Sequence, residues 1–218
     1  MSLLSLSPGG HAALIYETFN EQKQAVLPFI REGLERGEQC VYVCNEQSDD
    51  EWCEELQAYG VDVAAERGKG SLTVGLGARW QGTGELSSIA RAGQAWGMIE
   101  EALVAHTGIR FAVDMGWALD VGLAPDDLCH WEATLNPLIE GDREIRVLCL
   151  YNLKRHPAES IHAALRTHPT VIARGLSGPN PYYEGPRILQ HEPHLNRSDP
   201  DPGALMEKLQ GLNGALAK

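Results

Sequence analysis

Tyr16, Glu17, Asn45, Glu46, Asp114, Trp117, Tyr151, Asn152 and Arg155 all stand at or just past the C-terminal end of a short apolar run. If those runs are parallel strands, their C-terminal ends gather the residues along one edge of a sheet. Open α/β sheets bind ligands along that edge. A crevice lined by two tyrosines, a tryptophan, carboxylates and an arginine would suit a small polar organic molecule. Each residue also has a plain structural role. Tyr16 and Tyr151 can be core-edge residues, and Glu46 and Asp114 can cap the helices that follow their strands.

The turn after Tyr16 narrows the chemistry further. It reads Glu17-Thr18-Phe19-Asn20-Glu21-Gln22, between the apolar run Ala12–Tyr16 and a helix-like stretch that starts near Lys23. A phosphate-binding loop at this place in an α/β protein needs glycines, so that backbone N–H groups can wrap the phosphate, followed by Lys and Ser/Thr. This turn has no glycine and carries two carboxylates, Glu17 and Glu21. It would repel a triphosphate, which favours sensing over nucleotide chemistry.

The elements that position these residues alternate apolar runs with helical patterns, the mark of stacked βαβ units. Strands are expected at Ala12–Tyr16, Gln39–Cys44, Val61–Val63, Leu72–Val74, Phe111–Asp114, Ile145–Leu150 and Thr170–Ala173. Helices are expected from about Lys23 to Arg36, and at Asp49–Tyr59, Leu86–His106, Pro125–Ile139 and Ala158–Arg166. Ser48 and Glu51 form a capping-box pair, and Pro125 suits a first helical turn. The glycine-rich stretch Gly75–Gly84 reads as a mobile loop. Gly178–Pro186, with three prolines and two glycines, reads as irregular. The architecture that follows is α/β: a mostly parallel central sheet with helices on both faces. Residues 9–186 form the domain, and 187–218 a Pro/Asp-rich linker with a short amphipathic helix at Ala204–Leu216.

Composition excludes several classes. The 218 residues are 43% hydrophobic and carry a net charge of −12, which argues against nucleic-acid surfaces and anionic membranes. No run approaches the roughly 20 apolar residues of a membrane span. The first ten residues do not read as a secretory signal. Five cysteines, four of them in or beside apolar runs, read as reduced buried thiols. The protein is expected in the cytoplasm.

Nucleophilic catalysis has no G-x-S-x-G elbow to build on. A metal site would have to be assembled from His11, Cys149, His168 or Asp114 across several elements, and no compact ligand spacing supports that. No metal and no cofactor is therefore expected. Cys40 and Cys44 would lie about 13 Å apart on a strand, too far to share an ion. His191 and His194 read as solvated surface. His11 and His168 precede their strands and so belong at the opposite end of the sheet from the ligand edge. His168-Pro169 reads as a helix exit with a structural histidine, and Cys149 as an inert core thiol.

Several segments together resemble one family. They are His11-(x4)-Tyr16-Glu17; Phe29 to Glu38 leading into Cys40-Val41-Tyr42-Val43; Arg110 to Ala118; Trp131-Glu132-(x3)-Asn136; Val147 to Tyr151; His168-Pro169-(x)-Val171-Ile172; and Asn180-Pro181-Tyr182-Tyr183. In order and spacing they are similar to the MEDS (methanogen/methylotroph sensory) domain over about residues 9–186. The resemblance implies a RecA-like fold with a degenerate nucleotide site. It also implies a sensory role toward small organic molecules such as one-carbon or halogenated hydrocarbon derivatives. His11, His168 and Cys149 would match the family's characteristic His and Cys, suspected of contacting ligand, which conflicts with the edge argument above.

The expected function is a non-enzymatic sensory domain that binds a small organic molecule. The expected ligand-binding residues are Tyr16, Glu17, Glu46, Asp114, Trp117, Tyr151, Arg155, His11, Cys149, His168 and Tyr182. No helix-turn-helix or kinase module is recognisable, so output is expected to pass through a regulatory protein partner: a kinase, an anti-sigma factor or a transcription factor. Self-association is left open. The alternative is a residual nucleotide-binding protein or ATPase, with Asp114 ending a buried strand as a Mg²⁺ carboxylate would.

Overall fold

The computed structural model describes residues 6–75, 88–141 and 143–185, with the backbone alone for 88–95. Nearly all of the glycine-rich stretch and the whole C-terminal tail, with its histidine pair and the amphipathic helix expected at Ala204–Leu216, lie outside the described residues. Seven strands form one sheet: β1 Gly10–Tyr16, β2 Gln39–Val43, β3 Leu72–Gly75, β4 Ile109–Asp114, β5 Ile145–Asn152, β6 Thr170–Ala173 and β7 Leu176–Pro179. Their order is β3-β2-β4-β5-β1-β6-β7. The first six are parallel, and β7 adds an antiparallel edge. Strands β4 and β5 are buried at every position, as expected of parallel strands covered on both faces.

The described helices are α1 Phe19–Glu35, α2 Asp49–Ala58, α3 Val63–Gly68, α4 Ser88–Ala105, α5 Gly116–Asp120, α6 Pro125–Ile139 and α7 Ala158–Thr167. One core layer joins Leu14, Tyr16, Tyr42 and Leu150 of the sheet to Phe29 and Ile30 of α1 and to Trp52 and Leu56 of α2. The opposite layer joins Ile15, Val113, Val147 and Tyr151 to Ile99 of α4, Trp131 and Leu135 of α6, and Ile161 and Leu165 of α7. The period of two along each strand sends neighbouring residues to opposite layers.

The expected capping box forms, and a second one, not foreseen, heads α1. Ser48 Oγ accepts from Glu51 N at the head of α2, and Thr18 Oγ1 accepts from Glu21 N at the head of α1.

Two expected elements differ. Val61–Val63 is not a strand, because Asp62 accepts from Ala65 N and starts α3. The proline-rich stretch is not wholly irregular either. Arg174 (φ 49°) and Gly175 (φ 74°) make a two-residue turn of the kind that closes hairpins. Gly178 and Pro179 then pair with Val171 and Thr170, Pro179 being tolerated on an edge strand.

Below the N-terminal ends of β4 and β5, Glu38 lies between two buried guanidiniums. Arg110 Nε donates to one carboxylate oxygen and Arg146 Nη1 donates to the other at 3.0 Å. Arg110 also donates to Phe29 O at 3.1 Å, and Arg146 to Leu6 O at 2.9 Å. Removing the shared carboxylate would leave each buried cation with one outer carboxylate, Glu32 at 3.4 Å from Arg110 and Glu144 at 2.8 Å from Arg146. That puts the loss at the lower end of the range for a broken buried pair, about 3–5 kcal/mol. Glu38→Ala is therefore expected to lower the urea-unfolding free energy by about that much, with Glu38→Gln losing less because its amide oxygen still accepts.

Candidate functional site

The residues of interest fall into two groups on opposite faces of the sheet. Tyr16 pairs in register with Asn152, and Tyr151 pairs with Ile15. The two tyrosines therefore project to different layers, and the single crevice with both in its wall does not exist. The strand period separates residues that share an edge.

On the α1/α2 side, Tyr16, Glu46, Asp114 and Arg155 do converge at the C-terminal edge. Asn152 Nδ2 donates to both oxygens of Glu46, at 2.9 and 3.1 Å. Arg155 reaches Glu46 at 3.5 Å and Asp120 at 3.0 Å. Gly116 makes this packing possible. A Cβ there would stand 2.7 Å from Asn45 Nδ2 and 2.8 Å from Arg155 Nη1. Asp114 Oδ1 accepts from Gly116 N at 2.9 Å, but the N-cap position of α5 is Met115 and carries no side-chain capping bond. Asp114 Oδ2 is buried without a hydrogen-bond partner, as is the Tyr16 hydroxyl. Burial raises the Tyr16 phenol, with the charges of Asp114 and Glu46 adding to it. Burial likewise raises Asp114 to about 6, against the bond from Gly116.

Glu17 stands on the same edge but outside this group; its carboxylate accepts from Arg174 at 3.3 Å in the β6–β7 turn. The turn it begins is closed by its own chain. Glu21 Oε2 accepts from Glu17 N at 2.8 Å and from Thr18 N at 3.1 Å. A side-chain carboxylate therefore holds backbone amides just ahead of the first helix, where a phosphate-binding turn would present its own to the anion.

The second group is a polar cluster inside the α6/α7 layer. His11, Glu132, Cys149 and His168 are each buried, and one ligand-type atom from each lies within 4.8 Å of all the others. His11 Nε2 is 3.5 Å from Glu132 Oε2 and 3.5 Å from Cys149 Sγ. Glu132 Oε2 is 3.8 Å from His168 Nε2 and 3.9 Å from Cys149 Sγ. Tyr151 donates its hydroxyl to the other carboxylate oxygen, Oε1, at 2.7 Å.

The outer hydrogen bonds define both imidazoles. Asn136 Nδ2 donates to Thr167 O at 2.9 Å, which turns its Oδ1 toward His11 Nδ1 at 2.7 Å. His168 Nδ1 lies 2.7 Å from Ala164 O. Both oxygens only accept, so each Nδ1 carries the proton and each Nε2 presents a bare lone pair to the cluster. Burial lowers His11 to about 4, the bond to Asn136 resisting. It lowers His168 well below the ordinary range, with neighbouring His11 adding to the effect. Both rings are neutral, and their contacts with Glu132 are not ion pairs. Burial raises Glu132 to about 7, while the bonds from Tyr151 and Cys149 resist. It raises the Cys149 thiol well above its usual value, with Glu132 reinforcing the shift.

Spacing along the chain gave no support for a metal-ligand set; tertiary structure assembles one. His11, Cys149 and His168 come together as candidate ligands, with Glu132 in the place considered for Asp114, which lies on the other face. His11 is the second residue of β1 and His168 is the C-cap residue of α7, just ahead of β6, so both lie toward the N-terminal end of the sheet, and both are wholly buried. Trp117 and Tyr182 also belong to this side. Trp117 stacks edge-on against Trp131 at 5.4 Å, and Tyr182 packs on the surrounding core. Glu132 and Asn136 were not among the expected site residues. The signal was present, because they interrupt the apolar stripe of α6 formed by Leu128, Trp131, Leu135 and Ile139.

Beside the cluster lies an apolar cleft with about 440 Å³ of empty space, counting the part open to solvent. Its walls include Ile99, Phe111, Val113, Trp131, Leu135 and Val147, and Cys149 is the liner it shares with the polar cluster.

A mostly parallel sheet in this strand order, with a self-capped turn after β1, defines a RecA-like α/β domain whose phosphate loop has been replaced. Solved structures agree on the fold. One is a KaiC-like protein, PH0186, from the hyperthermophilic archaeon Pyrococcus horikoshii OT3. It is 14% identical, with a TM-score of 0.57 over 78% of this chain and 74% of that one. No curated protein matches the chain significantly. The family model described as MEDS, "MEthanogen/methylotroph, DcmR Sensory domain", matches residues 10–169. The chain belongs to that family of sensory domains.

Asp114 generates a pH prediction. Its folded pKa, about 6, lies above the ordinary aspartate value of 3.8, so the folded state binds the extra proton. Stability is then highest with the carboxyl protonated and falls as pH rises from about 4 to about 6, by on the order of 2–3 kcal/mol. Asp114→Asn should remove that decline. Compared with wild type in urea unfolding, it should be similar at pH 4 and more stable at pH 7.

Proposed function

We propose that this domain is a non-catalytic cytoplasmic sensor that takes a small, largely apolar organic molecule into the cleft bordered by Trp131, Val147 and Cys149. It passes the resulting shift of α6 to a regulatory protein partner such as a kinase, an anti-sigma factor or a transcription factor. The observation that carries this reading is the cleft itself. Its described walls are apolar apart from one thiol, and that thiol touches the hydrogen-bonded cluster on the inner face of α6. A guest there excludes water from apolar surface and presses on the helix that carries Glu132 and Asn136. Ligand can move such an equilibrium only by its differential affinity for two arrangements. The domain is accordingly expected to sample α6 positions that widen or narrow the cleft.

Family membership supports the sensory role, and no described helix is long and apolar enough to cross a membrane. Nucleotide is disfavoured by the carboxylate of Glu21 at the amides before α1. Among the described residues there is also no Lys-Ser/Thr pair after β1.

Thermal unfolding tests the reading with a panel of halogenated and one-carbon hydrocarbon derivatives, alongside ATP-Mg²⁺. Some apolar members are expected to raise the Tm saturably and to perturb tryptophan fluorescence, while ATP-Mg²⁺ at millimolar concentration leaves the Tm unchanged. Val147→Phe, which fills the cleft at an overpacking cost of about 1–3 kcal/mol, should abolish the ligand shift and keep the fold. Stabilisation by ATP-Mg²⁺ alone would overturn the proposal in favour of a nucleotide-binding protein.

A further inference from the structure

The buried cluster turns several lone pairs toward one another, and one of them is left without a hydrogen bond. His11 Nε2 and His168 Nε2 both offer lone pairs, since their Nδ1 protons are committed to Asn136 and Ala164. Glu132 Oε2 is an acceptor, its other oxygen being taken by Tyr151. Within the set the Cys149 thiol is a donor, the Glu132 carboxyl a second one when protonated, and His168 Nε2 is left buried without a hydrogen bond. An orphaned lone pair in a dry interior costs free energy unless something positive meets it.

Distance decides what that could be. A water molecule bonded to all four atoms at about 2.8 Å would hold them about 4.6 Å apart in a tetrahedron. A metal ion with bonds of about 2.0–2.3 Å would hold them about 3.3–3.8 Å apart. The observed separations are 3.5, 3.5, 3.8 and 3.9 Å. These four of the six edges lie within or just above the metal's range and well short of the water's, and the other two are within 4.8 Å. Charge agrees with distance. Two neutral imidazoles, one carboxylate and one thiolate around a dication sum to zero, which suits complete burial. Each imidazole also has its far nitrogen tied to a carbonyl-type oxygen, and the carboxylate is held by Tyr151; outer contacts of this kind orient metal ligands.

We propose that His11, Glu132, Cys149 and His168 form a closed tetrahedral site for one divalent transition-metal ion of borderline softness, zinc being the ion whose geometry it fits. The site locks β1, β5, α6 and the exit of α7 together, and it sits behind the wall that Cys149 presents to the cleft. Metal binding releases the thiol proton to solvent as folding closes around the ion. The inference does not depend on a ligand entering the cleft.

Because the cluster is buried, the ion enters during folding, and the test loads it there. The full chain is unfolded with denaturant and chelator, then refolded with one equivalent of Zn²⁺ or Co²⁺ and desalted. Metal content is measured by mass spectrometry and the cobalt form by absorption. The expected result is one ion per chain, with the intense visible bands of tetrahedral cobalt and a near-ultraviolet thiolate-to-cobalt charge-transfer band. Cys149→Ser should lose that charge-transfer band. Asn136→Ala, which frees the His11 ring, should weaken the affinity by about 10–100-fold. Refolded wild-type chain that keeps less than a tenth of an equivalent would overturn the proposal. So would bound cobalt with a weak octahedral spectrum that Cys149→Ser leaves unchanged. The wild-type measurement stands even if a variant does not fold.

Discussion

Everything on the α6/α7 side of the sheet is arranged around a desolvated set of lone pairs. An apolar layer tolerates a carboxyl, two imidazoles and a thiol only if each is oriented by a partner. The partners come from separate elements: Asn136 from α6, Ala164 from α7 and Tyr151 from β5. The cluster therefore fixes the register of two helices against two strands. It also sets the inner wall of the apolar cleft, since Cys149 belongs to both. Any movement of α6 that changes the cleft must change the distance from Glu132 to His11 and His168.

The other face keeps the layout of a nucleotide-binding fold and changes its chemistry. The strand order, the helix following β1 and the carboxylate ending β4 all persist. The turn after β1 has been rewritten so that Glu21 binds the amides of Glu17 and Thr18. An internal carboxylate sits beside the helix N-terminus and complements its dipole. Arg155 is likewise engaged by Glu46 and Asp120. Its guanidinium is thus shared between two carboxylates.

Much of the fold was legible because its signals are local. Pro125–Ile139 and Thr170–Ala173 match their expected bounds, and the Ser48–Glu51 capping box forms as expected. The β7 hairpin was obscured because Pro179 and Gly178 read as breakers, whereas the Arg174-Gly175 turn makes the pairing geometrically natural. The site was half legible. The C-terminal edge brought together Tyr16, Glu46, Asp114 and Arg155 as read. It wrongly joined Tyr151 to them, because sharing an edge does not imply sharing a face. The buried cluster could not be found from spacing. Its members are separated by up to 157 residues of chain, from His11 to His168, and only tertiary contacts place them within 4.8 Å. The legible trace was the pair Glu132 and Asn136 on the apolar stripe of a helix, where a buried polar residue demands a partner.

Both buried histidines are neutral Nδ1–H tautomers whose Nε2 lone pairs face Glu132. Nitrogen-15 NMR of the imidazole rings, recorded on the chelator-treated protein at pH 7, tests this directly. The account predicts that His11 and His168 each show a protonated Nδ1 and an unprotonated Nε2. An imidazolium, or an Nε2–H tautomer at either residue, would contradict it.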